Sequence, residues 1–225
     1  MTATKHALVI GASRGIGMEF VRQYRAAGVR VTATARGELA LDTLRALGAQ
    51  ALPLDLRRLD SISGLAWKVD GEGFDTAIVC AGVFGRRTQG LQPPTEAEFD
   101  EVMHTNVLGA MRVIPQIAEA LAPGAKLAVI SSRMGAITAR ESHAGWLYRA
   151  SKAALNSVLK DASLALAGRA TCVSFHPGWV RTDMGGADAD LDVADSVSDM
   201  RRVLDALTPA DNGRFLNHDG ETIDW

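Results

Sequence analysis

The stretch Ala7-Leu8-Val9-Ile10-Gly11-Ala12-Ser13-Arg14-Gly15-Ile16-Gly17 decides the fold of this 225-residue chain. Its apolar start predicts a buried strand, and the segment from Met18 to Tyr24 that follows is interpreted as a helix. Glycines in such a turn allow a positive φ, a close approach of the backbone to a phosphate, and close packing of helix on strand. The N–H groups that begin the helix would then bind a pyrophosphate. The spacing G-x-x-x-G-x-G differs from the commoner G-x-G-x-x-G, and a tight connection without a ligand is the alternative.

Strand-like apolar runs alternate with helical patterns along the whole chain. This alternation predicts an α/β fold with a doubly wound parallel sheet of the Rossmann type, about seven strands and helices on both faces. The predicted strands are Ala7–Gly11, Arg30–Ala35, Ala51–Asp55, Asp75–Cys80, Lys126–Ser131, Thr171–His176 and Arg214–Asn217. Because no linker or repeat divides the chain, we expect residues 1–225 to form a single domain.

Two helix boundaries can be predicted from capping residues. Thr95 and Glu98 form a capping box that begins a helical region reaching about Leu121. Pro115 inside this region should kink the helix or lie where a partner satisfies the freed carbonyl. Asp192 or Asp195 could cap another helix that ends near Leu207.

Composition excludes several classes of protein. The formal net charge of −2 gives no basic excess for nucleic acid, and no apolar stretch approaches the roughly 18 residues of a membrane span. The first residues, Met1 to His6, lead into the first strand without a signal peptide, so we expect a cytoplasmic protein. Cys80 and Cys172 lie in apolar runs and are predicted to be buried free thiols. No metal-ligand cluster is present in the sequence.

Tyr148 and Lys152 are four residues apart, which places both side chains on one face of a helix with Cβ atoms roughly 5–6 Å apart. At an effective dielectric of about 20, a cation near 4 Å would favour the phenolate by about 4 kcal/mol, or roughly three pK units. Such a phenol could exchange protons near neutral pH. An ordinary exposed pair on a helix surface is the alternative, since this spacing is common.

Six motifs in order resemble the short-chain dehydrogenase/reductase family over essentially the whole chain. They are Gly11 to Gly17, Cys80-Ala81-Gly82, Asn106, Ile130-Ser131-Ser132, Tyr148 to Lys152, and His176-Pro177-Gly178 through Thr182. The sequence is most similar to the small members related to carbonyl reductases and C-factor-like proteins. It departs from the family at Cys80, where an asparagine is usual and would tie neighbouring loops together.

The resemblance implies a set of site residues and a nicotinamide cofactor, NADP(H). The implied cofactor-binding residues are Gly11, Ser13, Arg14, Gly15, Ile16, Gly17, Arg36, Asp55, Leu56, Cys80, Ala81, Gly82, Tyr148, Lys152, Pro177, Gly178, Val180 and Thr182. Of these, Asp55 and Leu56 would contact adenine, although a loop or capping carboxylate is the alternative for Asp55. The implied catalytic residues are Asn106, Ser132, Tyr148 and Lys152, and no metal is implied.

Ser131 and Ser132 lie at the end of a predicted strand, so either could instead be a simple hydrogen-bonding residue there. Because their side chains should point to opposite faces, only one can polarise a substrate, and the resemblance favours Ser132. Asn106, a poor helix former, would sit at a helix break and hold a water that contacts Lys152; a solvated position or a local bend is the alternative. His143 is not included among the predicted catalytic residues, since a single loop histidine is commonly solvated.

The cofactor choice follows from charge at the end of the second strand. An NAD-specific site needs a carboxylate there, and this chain has Ala35-Arg36 instead. Arg36 and Arg14 could therefore both bind an adenosine 2′-phosphate, unless both are solvated arginines on the rim. We expect a preference for NADPH over NADH.

The function implied is hydride transfer between the nicotinamide and a small carbonyl or alcohol substrate, as in carbonyl reductases. A non-catalytic nucleotide-binding signalling protein of the C-factor type is one alternative, and a sugar-nucleotide epimerase or dehydratase is another. Residues 183–195 would form a short mobile lid, and Trp146 and Trp179 would wall the site unless they belong to the core. The family also implies a homodimer or homotetramer formed through the segments Glu98–Leu121 and Leu147–Ala167.

Overall fold

The computed structural model describes residues 5–225. Its centre is a parallel sheet of strands β1 (His6–Ile10), β2 (Arg30–Ala35), β3 (Gln50–Pro53), β4 (Phe74–Val79), β5 (Leu121–Ile130), β6 (Ala170–His176) and β7 (Arg214–Asn217). Their order is β3-β2-β1-β4-β5-β6-β7, and every neighbouring pair is parallel. The doubly wound sheet predicted from the sequence is confirmed. The order reverses between β1 and β4, where such sheets bind their ligands.

Helices cover both faces of the sheet. They are α1 (Gly15–Ala26), α2 (Glu38–Ala46), α3 (Leu59–Ser63), α4 (Leu65–Lys68), α5 (Glu96–Met103), α6 (Gly109–Ile117), α7 (Trp146–Ala165) and α8 (Val193–Ala206). Neighbouring strand residues point to opposite faces, so Val9 packs with Phe20 of α1 while Leu8 packs with Val113 of α6 and Leu159 of α7. Two apolar cores result, one on each side of the sheet. None of the helices in the described part of the chain is long and apolar enough to cross a bilayer.

The helical region after Thr95 contains a change of helix type. Thr95 and Glu98 form the predicted capping box at the start of α5. A π-helical segment, His104–Leu108, separates α5 from α6, and Asn106 lies within it. A short 3₁₀ turn after α6 ends at Ala120, one residue before the predicted end. Pro115 lies inside α6, which continues to Ile117.

Several predicted boundaries were wrong. β3 ends at Pro53 and not at Asp55, and β5 begins at Leu121, five residues before the predicted start. The early start of β5 reflects pairing of Leu121 with Phe74, a contact between distant residues. Asp192 stands at the N-cap of α8 but makes no capping bond, because its carboxylate accepts from the Arg181 side chain.

Candidate active site

A cleft of about 420 Å³ opens beyond the carboxyl ends of the strands on either side of the reversal. Sixteen of the predicted cofactor-binding residues line it: Gly11, Ser13, Arg14, Gly15, Ile16, Gly17, Arg36, Asp55, Leu56, Cys80, Ala81, Gly82, Tyr148, Lys152, Pro177 and Thr182. Gly178 and Val180 do not line the cleft, and their contact with the cofactor stays a prediction. Gly178 faces Leu191 and His218, and Val180 is buried in a bridge to Leu191.

Sequence reasoning missed eleven other lining residues. They are Thr34, Ala35, Leu54, Arg57, Val83, Thr105, Ile130, Ser131, Arg181, Asp183 and Met184. Almost all are next to a predicted site residue in the chain, so extending each motif by a few residues would have found most of them. Arg57, directly after Leu56, is the notable omission because it adds a cation to the cleft.

The glycine turn is a close-fitting cradle. A Cβ atom on Gly11, whose φ is +86°, would lie 2.8 Å from Ala81, and one on Gly17 would collide with the Gly11 carbonyl oxygen. Thr34 fixes the turn to β2, since its hydroxyl accepts from the Gly11 N–H at 3.0 Å. The cradle therefore leaves backbone N–H groups beside the cleft, as binding of a dinucleotide pyrophosphate requires.

Tyr148 lies in the first turns of α7 with only 6% of its surface exposed. Burial raises the pKa of its phenol to about 12, and a smaller interaction with the Ser132 hydroxyl acts in the opposite direction. The phenol is thus protonated at neutral pH. Its neighbour Ser132 follows the end of β5 and accepts from the Met134 N–H at 3.2 Å.

Lys152 lies one turn further along α7 and is buried. Its Nζ donates to the Ile130 carbonyl oxygen at 2.7 Å and lies 5.6 Å from the centre of the Tyr148 ring. Burial lowers the pKa of this ammonium to about 8. The expectation that Lys152 brings the pKa of Tyr148 close to 7 was wrong for this structure, because burial of the phenol dominates and the ammonium is bonded to a backbone carbonyl.

Asn106 holds two parts of the site together. Its Oδ1 accepts from the Val83 N–H at 2.8 Å, and its Nδ2 donates to the Val83 carbonyl at 2.8 Å and to Ser151 Oγ at 2.9 Å. Ser151 is fully buried and donates in turn to the Tyr148 carbonyl at 2.8 Å. The π-helical segment therefore fixes both the loop after β4 and the turn of α7 that carries Tyr148. The predicted water held by the Asn106 backbone stays a prediction.

The two serines after β5 have different neighbours. Ser131 lines the cleft, and its hydroxyl donates to the Lys152 carbonyl oxygen at 3.4 Å. Ser132 does not line the cleft, but its hydroxyl lowers the pKa of the Tyr148 phenol against the larger effect of burial. Of the two candidates, the structure thus places Ser132 beside the phenol.

An aromatic stack covers the Tyr148 ring, and no sequence motif pointed to it. The Phe84 ring lies on Tyr148 with centroids 4.4 Å apart and an interplanar angle of 22°. The Arg87 guanidinium lies 4.8 Å from the centre of Phe84 and donates to the Met184 carbonyl at 2.7 Å. This stack connects the loop after β4 with the segment after Thr182.

Trp146 and Trp179 are not core residues, since 36% and 52% of their surfaces are exposed. Neither lines the cleft. Trp146 begins α7, and its Nε1 donates to the Gln92 carbonyl at 2.9 Å. His143 is exposed.

Of residues 183–195, which were predicted to form a lid, residues 193–195 belong to α8, and the lid stays a prediction. At its start, Asp183 forms an exposed ion pair with Arg14 at 2.9 Å across the mouth of the cleft. Thr182 Oγ1 accepts from the Gly185 N–H at 3.1 Å, and Trp179 Nε1 donates to the Gly185 carbonyl at 2.9 Å. The segment is therefore attached to the rest of the site by several polar contacts.

The cysteines are both free thiols. Cys172 is buried, whereas Cys80 is partly exposed and lines the cleft, which corrects the expectation that both are buried. Burial of its sulfur nevertheless raises the pKa of Cys80, so the thiol stays protonated at neutral pH. Within residues 5–225 no three His, Cys, Asp or Glu side chains converge as metal ligands would.

The fold and site define a nucleotide-binding protein of the Rossmann type whose cleft is lined by the buried Tyr148 and Lys152. The family model for short chain dehydrogenases matches residues 5–191, and the chain belongs to that family. The site residues implied by the resemblance are therefore those expected for the family to which the chain belongs.

Three known proteins are especially similar to the chain. It is 40% identical to the C-signal of Myxococcus xanthus over 154 residues, which cover 67% of this chain and 92% of that protein. A putative short-chain dehydrogenase/reductase from Burkholderia multivorans with bound NADP superposes with a TM-score of 0.90 at 31% identity, covering 99% and 100% of the two chains. An NADPH-bound carbonyl reductase from chicken fatty liver gives 0.86 at 29% identity, covering 99% of each. The expectation of an NADP(H) cofactor agrees with the contents of these structures.

Proposed function

We propose that this chain is an NADP(H)-dependent oxidoreductase that reduces a small carbonyl compound, or oxidises the corresponding alcohol, with Tyr148 as the proton donor or acceptor. The observation that carries the proposal is the position of Tyr148 and Lys152, which line the inner end of the same cleft that the glycine turn begins. The close-fitting cradle and the free N–H groups fit a dinucleotide. When bound, the nicotinamide would supply or accept the hydride.

The protonation state of Tyr148 suits carbonyl reduction. With a pKa near 12, the phenol holds its proton at neutral pH and can give it to a substrate oxygen on which negative charge develops. Ser132, beside the phenol, would donate a hydrogen bond to the same oxygen. Both groups are oriented before substrate arrives, because Ser132 is fixed to Met134 and the backbone of Tyr148 to Ser151.

Lys152 would act on the cofactor and on the proton supply. Its buried ammonium lines the cleft, where it can donate to ribose hydroxyls, and its pKa near 8 lies close to physiological pH. A group poised in this way can pass a proton towards Tyr148 after each turnover. Asn106 positions this part of the site through Val83 and Ser151.

A second candidate function follows from the similarity to C-signal, a protein whose name denotes signalling. A nucleotide-binding signalling protein would use the cleft without turnover. The buried, mutually supported Ser132, Tyr148 and Lys152 favour catalysis, since nucleotide binding alone does not need a phenol beside a serine hydroxyl.

The test is to incubate the purified protein with NADPH and a panel of aldehydes, ketones and quinones while absorbance is followed at the reduced nicotinamide band. Substrate-dependent loss of absorbance supports the oxidoreductase. Tight NADPH binding without turnover of any compound would favour the signalling protein.

The cellular setting is part of the same proposal. Two free thiols suit a reducing compartment, so we place the protein in the cytoplasm.

We also propose a homodimer or homotetramer, because apolar side chains of the predicted interface segments are exposed, including Phe99, Met111 and Leu164.

A further inference from the structure

Four arginines line the cleft, and they differ in what they already contact. Arg181 is ion-paired with Asp192. Arg14 is ion-paired with Asp183. Arg36 and Arg57 are exposed, and within the described residues 5–225 neither forms an ion pair. Two cations without acidic partners thus stand at one end of the cleft.

Arg36 and Arg57 follow two neighbouring strands that pair with each other. Ala35 ends β2 and pairs with Pro53, which ends β3, and the Leu54 N–H donates to the Ala35 carbonyl at 2.9 Å. The segments that carry the two arginines therefore leave the sheet side by side.

Asp55 fixes the backbone at Arg57. Its Oδ1 accepts from the Arg57 N–H at 3.0 Å, and the Asp55 N–H donates to Ser61 Oγ at 2.9 Å. These bonds form a closed turn whose side chain at Arg57 borders the cleft. The next residue, Arg58, is ion-paired with Asp60 and does not border the cleft.

The geometry points to Arg57 as a specificity-determining residue that binds, together with Arg36, the phosphate monoester on the 2′-oxygen of the adenosine ribose. The inference rests on the proposed use of NADP(H). It assigns Arg57, in place of Arg14, as the second arginine that binds the 2′-phosphate. The cradle holds the pyrophosphate and Tyr148 marks the nicotinamide end, so the adenosine extends towards β2 and β3. A phosphate dianion there meets two guanidinium groups that need break no ion pair, whereas Arg14 must first leave Asp183.

The test compares the binding of 2′,5′-ADP and 5′-AMP by titration calorimetry, which needs no turnover. The two ligands differ by the 2′-phosphate, so the ratio of their dissociation constants measures recognition of that group. The variants are Arg57→Gln, with Arg58→Gln as the matched control and Arg36→Gln and Arg14→Gln for comparison. Arg57→Gln keeps the backbone N–H that Asp55 accepts.

We expect the wild-type protein to prefer 2′,5′-ADP and Arg57→Gln to reduce this preference by about tenfold or more, as Arg36→Gln should. Arg58→Gln should change it by less than about twofold, and Arg14→Gln by less than Arg57→Gln. A preference that survives Arg57→Gln overturns the inference while leaving NADP(H) use intact. A wild-type protein with no preference overturns both, because the 2′-phosphate then has no site.

Discussion

At the scale of single residues, the proposed chemistry depends on a phenol kept protonated by its surroundings. Burial, the stacked Phe84 ring and the Ser132 hydroxyl together define the environment of Tyr148. A phenol that keeps its proton at neutral pH has that proton available for a developing alkoxide, which is a much stronger base.

Tyr148→Phe removes this proton while keeping the ring that stacks on Phe84. We expect turnover to fall by at least about 10²-fold, as is typical for acid–base groups, with NADPH affinity nearly unchanged. Steady-state rates and NADPH titration measure the two effects. The matched control is Tyr24→Phe, which alters the chain's other tyrosine, a buried residue of α1. If Tyr148→Phe retains more than a tenth of wild-type turnover, Tyr148 is not the proton donor.

At the scale of elements, the π-helical segment between α5 and α6 organises the site. It directs Asn106 at both Val83 and Ser151, so one amide joins the loop after β4 to α7. Helical irregularities of this kind are often found at functional sites. Cys80 lacks the amide that the family usually has at the end of β4, and the clamp by Asn106 supplies a tie between the same loop and α7.

Ser151→Ala would leave one Asn106 N–H group buried without an acceptor. We expect the free energy of unfolding to fall by about 1–3 kcal/mol, the cost of such an unpaired group. Urea denaturation of the variant and the wild-type protein gives this difference. Ser157→Ala, at an exposed position of the same helix, should change it by less than about 0.5 kcal/mol. Equal effects of the two substitutions would contradict the clamp.

Much of this architecture could be predicted from residues that are close together in the sequence. The features that could not be predicted have a common cause. The glycine turn, the capping box at Thr95 and the Tyr148–Lys152 spacing are contacts between near neighbours, so they were predictable. Three features depend on contacts between residues that are not near neighbours in the chain. They are the start of β5, the hydrogen bond between Asp192 and Arg181, and the stacking of Phe84 on Tyr148. The pKa of Tyr148 was mispredicted for the same reason, because burial outweighed the neighbouring charge.

At the scale of the whole molecule, the two apolar cores leave polar groups buried at the carboxyl edge of the sheet. His176 ends β6 there, and its Nδ1 is buried without a hydrogen-bond partner in the described part of the chain. Burial lowers the pKa of His176 to about 4, with smaller contributions from Arg133 and His218. Protonation of His176 is therefore less favourable in the folded protein than in the unfolded chain.

This difference makes stability depend on pH in a defined direction. The unfolded chain binds a proton at His176 near pH 6.5 and the folded protein only near pH 4, so stability falls as pH drops below about 6.5 and the loss is complete below about pH 4. From pH 7.5 to 5, this residue should account for about 2 kcal/mol. Urea denaturation at both pH values should show a smaller decrease in His176→Gln. An unchanged pH dependence in that variant would refute the assignment.

Assembly is the second prediction at this scale. We expect a mass of at least a dimer by light scattering at micromolar concentration, formed through α5, α6 and α7. Met111→Glu would place a charge on the exposed apolar surface of α6 and should shift the mass towards that of a monomer. Leu39→Glu, at a more exposed position on the opposite side of the sheet, is the control and should leave the mass unchanged. A monomeric wild-type protein would disprove the proposed interface.

Because Trp179 is hydrogen-bonded to Gly185, its fluorescence should report on the position of the segment after Thr182. The indole is exposed and is joined to the segment that begins with the Arg14–Asp183 pair, so a shift of that segment changes the polarity around the ring. Tryptophan emission responds to such changes in colour and intensity. Trp179→Phe would identify its share of the signal against the chain's three other tryptophans. Stopped-flow emission could then time the entry and departure of the dinucleotide without any attached dye.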